Sequence, residues 1–280
     1  MICKRIEQTE MEHITKAKRI VVKVGTSTLT YEGGRLNIRR IEALTKVLSD
    51  LKNQGREIVL VSSGAIGVGM GKAGRNERPT ATREKQALAA IGQCELMNFY
   101  SGLFERYSHT VAQILLTRTV VDDPTLYTNA RNTFETLLGW GALPIVNEND
   151  TISTEQVERL GFGENDTLAA SVAELIGADA LVFLSDIDGL YDCDPRENPQ
   201  ASIIPEVCGV TDEIRALAGG AGTSRGTGGM ATKIEAAGFA NRVGVDVIIA
   251  NGKNPEVLYD IFDGKRVGTL FRRTGKKREE

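Results

Sequence analysis

Short apolar runs rich in β-branched residues recur along this 280-residue chain, and longer segments with helical periodicity separate them. The six clearest runs span residues 19–25, 56–62, 109–116, 142–148, 180–185 and 245–250. Because the runs are apolar at consecutive positions, both faces of each strand are expected to be buried, as in a parallel sheet covered by helices. The sequence therefore predicts an α/β protein, a three-layer αβα sandwich with a central, mainly parallel sheet.

Four segments between these runs have clear helical periodicity. In residues 37–55 the apolar side chains fall on one stripe, and Gly55 follows where a C-terminal cap is expected. Further helices are predicted at residues 80–107, 165–177 and 229–244. No internal repeat or low-complexity linker divides the chain, which favours a single α/β domain.

The composition excludes several classes of partner. A formal net charge of −3 and a sequence pI of about 5.7 give no overall attraction to nucleic acid or to an anionic membrane, so neither partner is expected. The four cysteines show no CxxC spacing and predict no zinc site. Because the sequence has no apolar leader and no run near the ~20 residues that a membrane span needs, a cytoplasmic protein is expected.

Polar and glycine-rich sequences follow four of the predicted strands. They are residues 23–27, 62–67, 147–151 and 185–195. Ligands of open α/β sheets gather outside the carboxyl ends of the strands, where loops converge and helix N-termini point their N–H groups outward. Serine, glycine, asparagine and aspartate also form ordinary turns and caps, but their presence after four strands at one sheet edge favours a ligand site.

Two lysines indicate an anion at this edge. Lys23 interrupts an apolar strand, where an ammonium group must either reach water, as on an edge strand, or face an anion. Lys233 lies in the first turn of a predicted helix, where it opposes the helix dipole, shortly after the sequence GTGG. Such a loop offers backbone N–H groups to an anion, and the two lysines together suggest a polyphosphate.

Two common nucleotide-binding motifs do not explain such a ligand. Gly69, Gly71 and Gly74 match G-x-G-x-x-G, but they fall within a predicted helix rather than at the strand-to-helix turn of a dinucleotide site. A Walker A loop is absent, because Lys72 is followed by Ala73. A bound nucleotide is therefore expected to use neither motif.

Seven sequence blocks, in this order along the chain, resemble the amino acid kinase family. They are IVVKVGTS, SSGAIGVG, PIVNENDT, GENDTLAA, SDIDGLY, DPRENP and GTGGMATKIEAA. The resemblance predicts an amino acid kinase domain at residues 19–271, an N-terminal extension at residues 1–18 and a charged C-terminal tail at residues 272–280. Many members that act on glutamate also carry a C-terminal PUA domain of RNA-binding type, and no PUA domain is expected here.

The resemblance implies an ATP-dependent kinase of proline biosynthesis. Such an enzyme uses ATP and Mg²⁺ to phosphorylate the side-chain carboxylate of L-glutamate and produces L-glutamyl 5-phosphate. Because a carboxylate with a pKa of ~4.3 is already ionised at neutral pH, this nucleophile needs no general base. Catalysis then depends on holding two anions in line and cancelling their charge.

The same resemblance assigns roles to residues in the matching blocks. Lys23 matches the lysine that contacts the transferring phosphoryl group, and Lys233 matches the lysine on the leaving-phosphate side. Asp166 matches the aspartate that holds both lysines by ion pairing. Matches to glutamate-binding positions are Ser63, Gly64, Asn147, Asp150 and Asn165. Matches to nucleotide-binding positions are Lys23, Gly25, Ser185, Asp186, Thr227, Gly228, Gly229, Met230, Ala231, Thr232 and Lys233.

The resemblance also implies a metal ion, an inhibitor and an assembly. Mg²⁺ is expected to be held through the ATP phosphates, and no protein ligand is assigned to it. Members of the family are commonly inhibited by L-proline, and residues 153–163 correspond to the loop where proline and glutamate compete. A homo-oligomer, either a dimer or a tetramer, is expected.

Two alternative hypotheses remain open at this point. One is another kinase of the same fold, acting on acetylglutamate, aspartate, carbamate or UMP, which would keep the lysines and change the blocks SSGAIG and NEND. The other is a non-catalytic amino acid sensor, which would be expected to lose a lysine or Asp166, whereas this chain retains all three.

Overall fold

The computed structural model describes residues 11–31, 33–75, 77, 79–152, 165–218 and 229–276. Within these ranges, eight strands form one sheet at the centre of the molecule. The strands are β1 (Arg19–Val24), β2 (Glu57–Val61), β3 (Val111–Leu116), β4 (Leu143–Glu148), β5 (Ala180–Ser185), β6 (Glu206–Val207), β7 (Asp246–Asn251) and β8 (Thr269–Phe271). Their order across the sheet is β3-β4-β2-β1-β5-β7-β8-β6.

Most neighbouring strands run parallel. β1 pairs in parallel with β2 and β5, and β4, β3 and β7 continue the same direction outward. β8 is antiparallel to β7, and β6 runs parallel to β8 at the edge. The predicted α/β class is therefore confirmed, and all six predicted strands are present. The sequence did not indicate β6 and β8, because two and three residues are too few to show a pattern.

Helices cover both faces of the sheet. Those of the described residues are α1 (Glu12–Thr15), α2 (Thr26–Leu29), α3 (Ile38–Asn53), α4 (Ala65–Lys72), α5 (Thr82–Glu105), α6 (Arg118–Asp122), α7 (Pro124–Gly139), α8 (Asn165–Leu175), α9 (Asp212–Leu217), α10 (Met230–Arg242) and α11 (Val257–Phe262). The four helices predicted from clear periodicity correspond to α3, α5, α8 and α10, and the helix predicted around Gly69 and Gly71 corresponds to α4. None of the helices in this part of the chain is long and apolar enough to cross a membrane.

The alternation of side chains along each strand divides the core into two halves. Along β1, Val21 faces one half, whereas Ile20 and Val22 face the other. Helices α6 to α10 cover the Val21 face, and α1 to α5 together with α11 cover the opposite face. These strand residues are fully buried, which explains their unbroken apolar sequence and accounts for the three predicted layers.

The sheet order brings the four polar strand ends together. β4, β2, β1 and β5 lie side by side and run parallel, so their carboxyl ends meet at one edge of the sheet. β1 is central rather than at the edge, because Lys23 lies opposite Val61 of β2 and Phe183 of β5. Lys23 is therefore not an edge-strand lysine.

Helix α4 contains most of the G-x-G-x-x-G match and packs against α5 through glycines. Gly69 lies inside α4, and a Cβ atom there would be 1.9 Å from the carbonyl oxygen of Leu88 in α5. A Cβ atom at Gly92 of α5 would be 1.8 Å from the carbonyl oxygen of Ala65 in α4. The two helices therefore pack backbone to backbone, and glycines in this region serve that contact.

Gly92→Ala is expected to lower the free energy of unfolding by about 2 kcal/mol or more, because the added methyl group would overlap a backbone carbonyl. Gly102→Ala is the matched control in the same helix. Outside the backbone of its own helix and its chain neighbours, no atom of the described residues lies within 4 Å of a Cβ atom built at Gly102, so this change should be neutral or stabilise by up to ~1 kcal/mol. Urea unfolding measures both variants, and equal stabilities would contradict the close packing of α4 and α5.

Candidate active site

A buried carboxylate joins two lysines at the carboxyl edge of the sheet. Asp166 lies in the first turn of α8. Its Oδ1 atom lies 2.5 Å from Nζ of Lys23, and its Oδ2 atom accepts a hydrogen bond of 3.0 Å from Nζ of Lys233. The structure thus brings these three residues together, and one side chain ties β1, α8 and α10 to one another.

Burial strengthens the electrostatics of this cluster. Asp166 is 0% exposed, and each of the two lysines is 7% exposed. Burial by itself raises the pKa of Asp166, but the ammonium groups of Lys23 and Lys233 outweigh that effect and hold the pKa below its usual value. Asp166 therefore stays ionised near neutral pH and fixes the positions of both lysines.

The N-terminus of α10 adds backbone donors beside Lys233. Gly229 precedes the helix, and no side chain of the described residues caps its first turn, which begins with Met230 and Ala231. The Oγ1 atom of Thr232 lies 2.9 Å from the Gly229 carbonyl oxygen and 3.2 Å from Oδ2 of Asp166, so Thr232 supports the carboxylate. N–H groups at the positive end of a helix dipole suit a phosphate group.

A tight turn after β2 places a serine beside the loop that follows β1. Gly64 has a φ of 86°, a left-handed conformation that side chains rarely adopt, and a Cβ atom there would lie 3.3 Å from Cγ2 of Thr26. Ser63, which precedes this turn, is 6% exposed. A Cβ atom at Gly25 would lie 4.0 Å from Nζ of Lys23, so this glycine borders the buried ammonium group directly.

Asn165 connects the loop after β2 with the end of β4. Its Nδ2 atom lies 2.8 Å from the carbonyl oxygen of Ser62, 2.9 Å from Oγ of Ser63 and 3.1 Å from Oδ1 of Asn147, so its two N–H groups are shared among three acceptors. Because Ser63 accepts with a lone pair, its own O–H remains able to donate to a ligand. Asn165 therefore lies within hydrogen-bond distance of Ser63 and of Asn147, two other residues predicted for the same site.

The loop after β5 lies on the other side of β1. The hydroxyl of Ser185 donates to Oδ1 of Asp186 at 3.2 Å. Asp188 accepts hydrogen bonds from Nδ2 of Asn251 at 2.6 Å and from the hydroxyl of Tyr191 at 3.1 Å. These contacts anchor the loop to β7, beside an open hollow of about 460 Å³.

The structure does not place every predicted site residue. Asp150 is half-buried in the turn that follows β4, at the same edge of the sheet. Thr227 and Gly228 lie outside the described residues, as do residues 153–163. The roles assigned to the predicted site residues stay predictions, although most of those described lie at this one edge.

Two residues of α5 reach this region without any indication from the sequence motifs. Oε1 of Gln93 accepts a hydrogen bond of 2.9 Å from Nδ2 of Asn147, and the hydroxyl of Tyr100 lies 3.2 Å from Oγ of Ser62. Burial raises the pKa of Tyr100, which therefore stays neutral. A polar residue within the buried stripe of a helix is the one signal that could have identified Gln93.

Neither histidine of the chain takes part in this cluster. Nε2 of His109 lies 3.2 Å from the carbonyl oxygen of Ser49, and Nδ1 of His13 lies 3.2 Å from a guanidinium nitrogen of Arg273. Among the described residues, no three or more His, Cys, Asp or Glu side chains are grouped to hold a metal ion. The site offers buried positive charge and hydrogen-bond donors, which suit anionic substrates.

Comparison with known proteins identifies the family. A model of the "Amino acid kinase family" matches residues 18–251. The chain belongs to the amino acid kinase family. It is 56% identical over 256 residues to a glutamate 5-kinase from Clostridium perfringens, covering 91% of this chain and 95% of that protein. It is 50% identical over 270 residues to a glutamate 5-kinase from Listeria innocua, covering 96% of this chain and 97% of that protein.

Solved structures of lower identity share the amino acid kinase fold. A UMP kinase from Bacillus anthracis aligns with a TM-score of 0.65 at 17% identity, covering 92% of this chain and 97% of that one. An isopentenyl phosphate kinase from T. acidophilum aligns with a TM-score of 0.59 at 18% identity, covering 91% of this chain and 100% of that one. At these identities the likeness concerns the fold alone.

Asp166→Asn is expected to lower the free energy of unfolding by about 3–5 kcal/mol, because two buried ammonium groups lose the carboxylate between them. Asp122→Asn is the control, since it removes an exposed carboxylate 3.5 Å from Arg118 and should change stability by less than ~0.5 kcal/mol. Chemical unfolding at neutral pH compares the two. A small loss in Asp166→Asn would mean that the cluster does not hold the three elements together.

The lowered pKa of Asp166 also predicts an acid-dependent loss of stability. The stabilisation is fully present above the unfolded-state pKa of ~3.9 and disappears as the pH falls through the lower folded-state pKa. Urea unfolding between about pH 7 and pH 3 should show a smaller acid loss in Asp166→Asn than in the parent protein. Identical pH profiles would contradict the assigned ion pairs.

Proposed function

We propose that this protein transfers the γ-phosphoryl group of ATP to the side-chain carboxylate of L-glutamate, the first step of proline biosynthesis. The observation that carries the proposal is the buried cluster of Lys23, Asp166 and Lys233, which lies beside turns that offer amide groups. The chain that contains it is 56% identical to a glutamate 5-kinase. A kinase for a different substrate is less well supported, since the UMP and isopentenyl phosphate kinases are only 17% and 18% identical.

The reaction joins two groups that repel each other. An oxygen of the glutamate γ-carboxylate attacks the γ-phosphorus of ATP, the bond from that phosphorus to the bridging oxygen breaks, and ADP leaves with the electron pair. Because the carboxylate is ionised at neutral pH, no proton has to be removed. This agrees with a cluster that uses lysines and amides and has neither histidine.

The two lysines stabilise negative charge at opposite ends of the phosphoryl transfer. Lys23, at the end of β1 beside Gly25, lies where the attacking carboxylate and the transferring phosphoryl group meet. Lys233, in the first turn of α10, stabilises charge on the leaving phosphate together with the N–H groups of that turn. Asp166 contacts neither substrate. It holds both ammonium groups in place, so that little reorganisation is needed during the reaction.

The turn after β2 and the start of α8 bind the amino acid. The Ser63 hydroxyl donates to a substrate carboxylate, and the Asn165 amide supports that hydroxyl at 2.9 Å. Asp150, in the turn after β4, pairs with the substrate ammonium group. Asn147 orients the Asn165 amide from the side away from the substrate.

The loop after β5 and the start of α10 bind the nucleotide. Ser185 and Asp186 bind the adenosine side, and residues 227–232 are assigned to the phosphates. Mg²⁺ bound to the phosphate oxygens would neutralise part of their charge and help to align the transferring group.

Inhibition and assembly belong to the same proposal. L-Proline competes with glutamate through residues 153–163, as the family resemblance implies. A homo-oligomer, either a dimer or a tetramer, belongs to the proposal as the family resemblance implies.

A hydroxamate assay tests the reaction directly, because hydroxylamine traps an acyl phosphate. With ATP and Mg²⁺, L-glutamate should give a strong signal, while aspartate and N-acetylglutamate should give little. Because phosphorylated UMP is not an acyl phosphate, ADP release measures UMP as an acceptor, and little ADP should form. Millimolar proline should shift the glutamate saturation curve to higher concentration. A signal with another acceptor and none with glutamate would refute the proposed substrate.

Lys233→Ala should lower kcat by about 10²-fold or more, the scale of a lost electrostatic donor in a buried site. Lys46→Ala is the control, because Lys46 is an exposed residue of α3 and should leave kcat unchanged. Steady-state kinetics at saturating glutamate and ATP measure both. A Lys233→Ala variant that lost only thermal stability would show that this lysine has no role in the transfer.

A further inference from the structure

Two backbone groups fix the direction of the amide hydrogen bonds behind the amino-acid site. The carbonyl oxygen of Ser62 can only accept, so the nitrogen of the Asn165 amide must be the atom that faces it at 2.8 Å. The N–H of Glu148 can only donate, so Oδ1 of Asn147 must be the atom that faces it at 3.0 Å. The orientations of both side-chain amides therefore follow from these two backbone groups.

These constraints define the part played by Gln93. Oδ1 of Asn147 faces two donors, the N–H of Glu148 and Nδ2 of Asn165. Its Nδ2 atom therefore faces Oε1 of Gln93, 2.9 Å away. Asn147 is 1% exposed and Gln93 is 8% exposed, so water has little access to replace this acceptor. An unpaired amide N–H at this depth carries a substantial free-energy cost. Rotating the Asn147 amide would not relieve it, since two donors would then face each other.

The packing of α5 gives an independent reason for this contact. Gly92, the residue before Gln93, allows α5 to approach α4 until a Cβ atom would lie 1.8 Å from the Ala65 carbonyl oxygen. This close approach brings the Gln93 side chain to the end of β4. A residue far from the strand loops in sequence thus becomes part of the network that ends at Ser63.

We propose that Gln93 is a positioning residue of the amino-acid site. By accepting from Asn147 it holds the amide that contacts Asn165, and Asn165 in turn keeps the Ser63 hydroxyl turned toward the substrate. The inference rests on the proposed function, because it takes Ser63 and Asn165 as glutamate-binding residues. Gln93 acts through Asn147 and does not touch the transferring phosphoryl group.

Gln93→Met tests this role, since methionine has a similar length and lacks the acceptor oxygen. We expect the KM for glutamate to rise about tenfold, as for the loss of one buried hydrogen bond, while the KM for ATP stays within about twofold. Gln54→Met is the control, because it removes an exposed glutamine that bonds to Asp50 at 3.2 Å and should leave both KM values unchanged. Equal shifts in the KM values for glutamate and ATP in Gln93→Met would overturn the inference.

A double-mutant cycle separates positioning from general destabilisation. In an Asn147→Ala background, Gln93→Met should add less than about twofold to the KM for glutamate, because the two residues act through one hydrogen bond. Full additivity would show that Gln93 acts in some other way. Partial unfolding would raise the apparent KM values for glutamate and ATP alike, so a rise for glutamate alone still reports positioning, and Gln93→Leu serves as a second apolar variant.

The outcomes distinguish this inference from the proposed function. If the parent protein phosphorylates no acidic amino acid, the proposed function is wrong. If the parent is active on glutamate and Gln93→Met keeps the parental KM for glutamate, only the inference about Gln93 is wrong.

Discussion

The ion pairs of one buried carboxylate organise this molecule. Asp166 is fully buried and contacts the ammonium groups of Lys23 and Lys233, which come from elements far apart in sequence. Removing three charges from water is costly, and that cost is recovered only when the groups meet in good geometry. The positions of β1, α8 and α10 are therefore coupled to one another. A site that must bring two anions together gains a rigid arrangement of positive charge from that coupling.

The parallel sheet provides the framework for this arrangement. Because β4, β2, β1 and β5 are neighbours with the same direction, their polar loops meet at one edge. Helix N-termini lie there as well, since α2 follows β1 and α4 follows β2. The amino acid kinase fold thus concentrates hydrogen-bond donors and positive charge at one edge of the sheet, although the net charge of the chain is −3. Local structure, rather than overall charge, determines which anions bind.

The helices behind the site contribute as much as the loops. Glycines let α4 and α5 pack backbone to backbone, and that approach places Gln93 beside Asn147. Backbone groups of Ser62 and Glu148 then set the orientation of the amides in between. The contact between Asn147 and Gln93, at the proposed amino-acid site, therefore depends on helix packing that no loop motif records.

The sequence by itself determined six of the eight described strands, helices α3, α5, α8 and α10, the α/β class and the residues at the strand ends, because apolar periodicity and turn chemistry are local properties. Gly55 could be placed after α3 for the same reason, and its φ of 87° agrees. Tertiary structure alone decided that Lys23 lies on a central strand, that Thr232 supports Asp166, and that Gln93 reaches the site. Hydrogen bonds and ion pairs between residues such as Asn147 and Gln93, 54 positions apart, depend on how elements pack, and no local pattern encodes that packing.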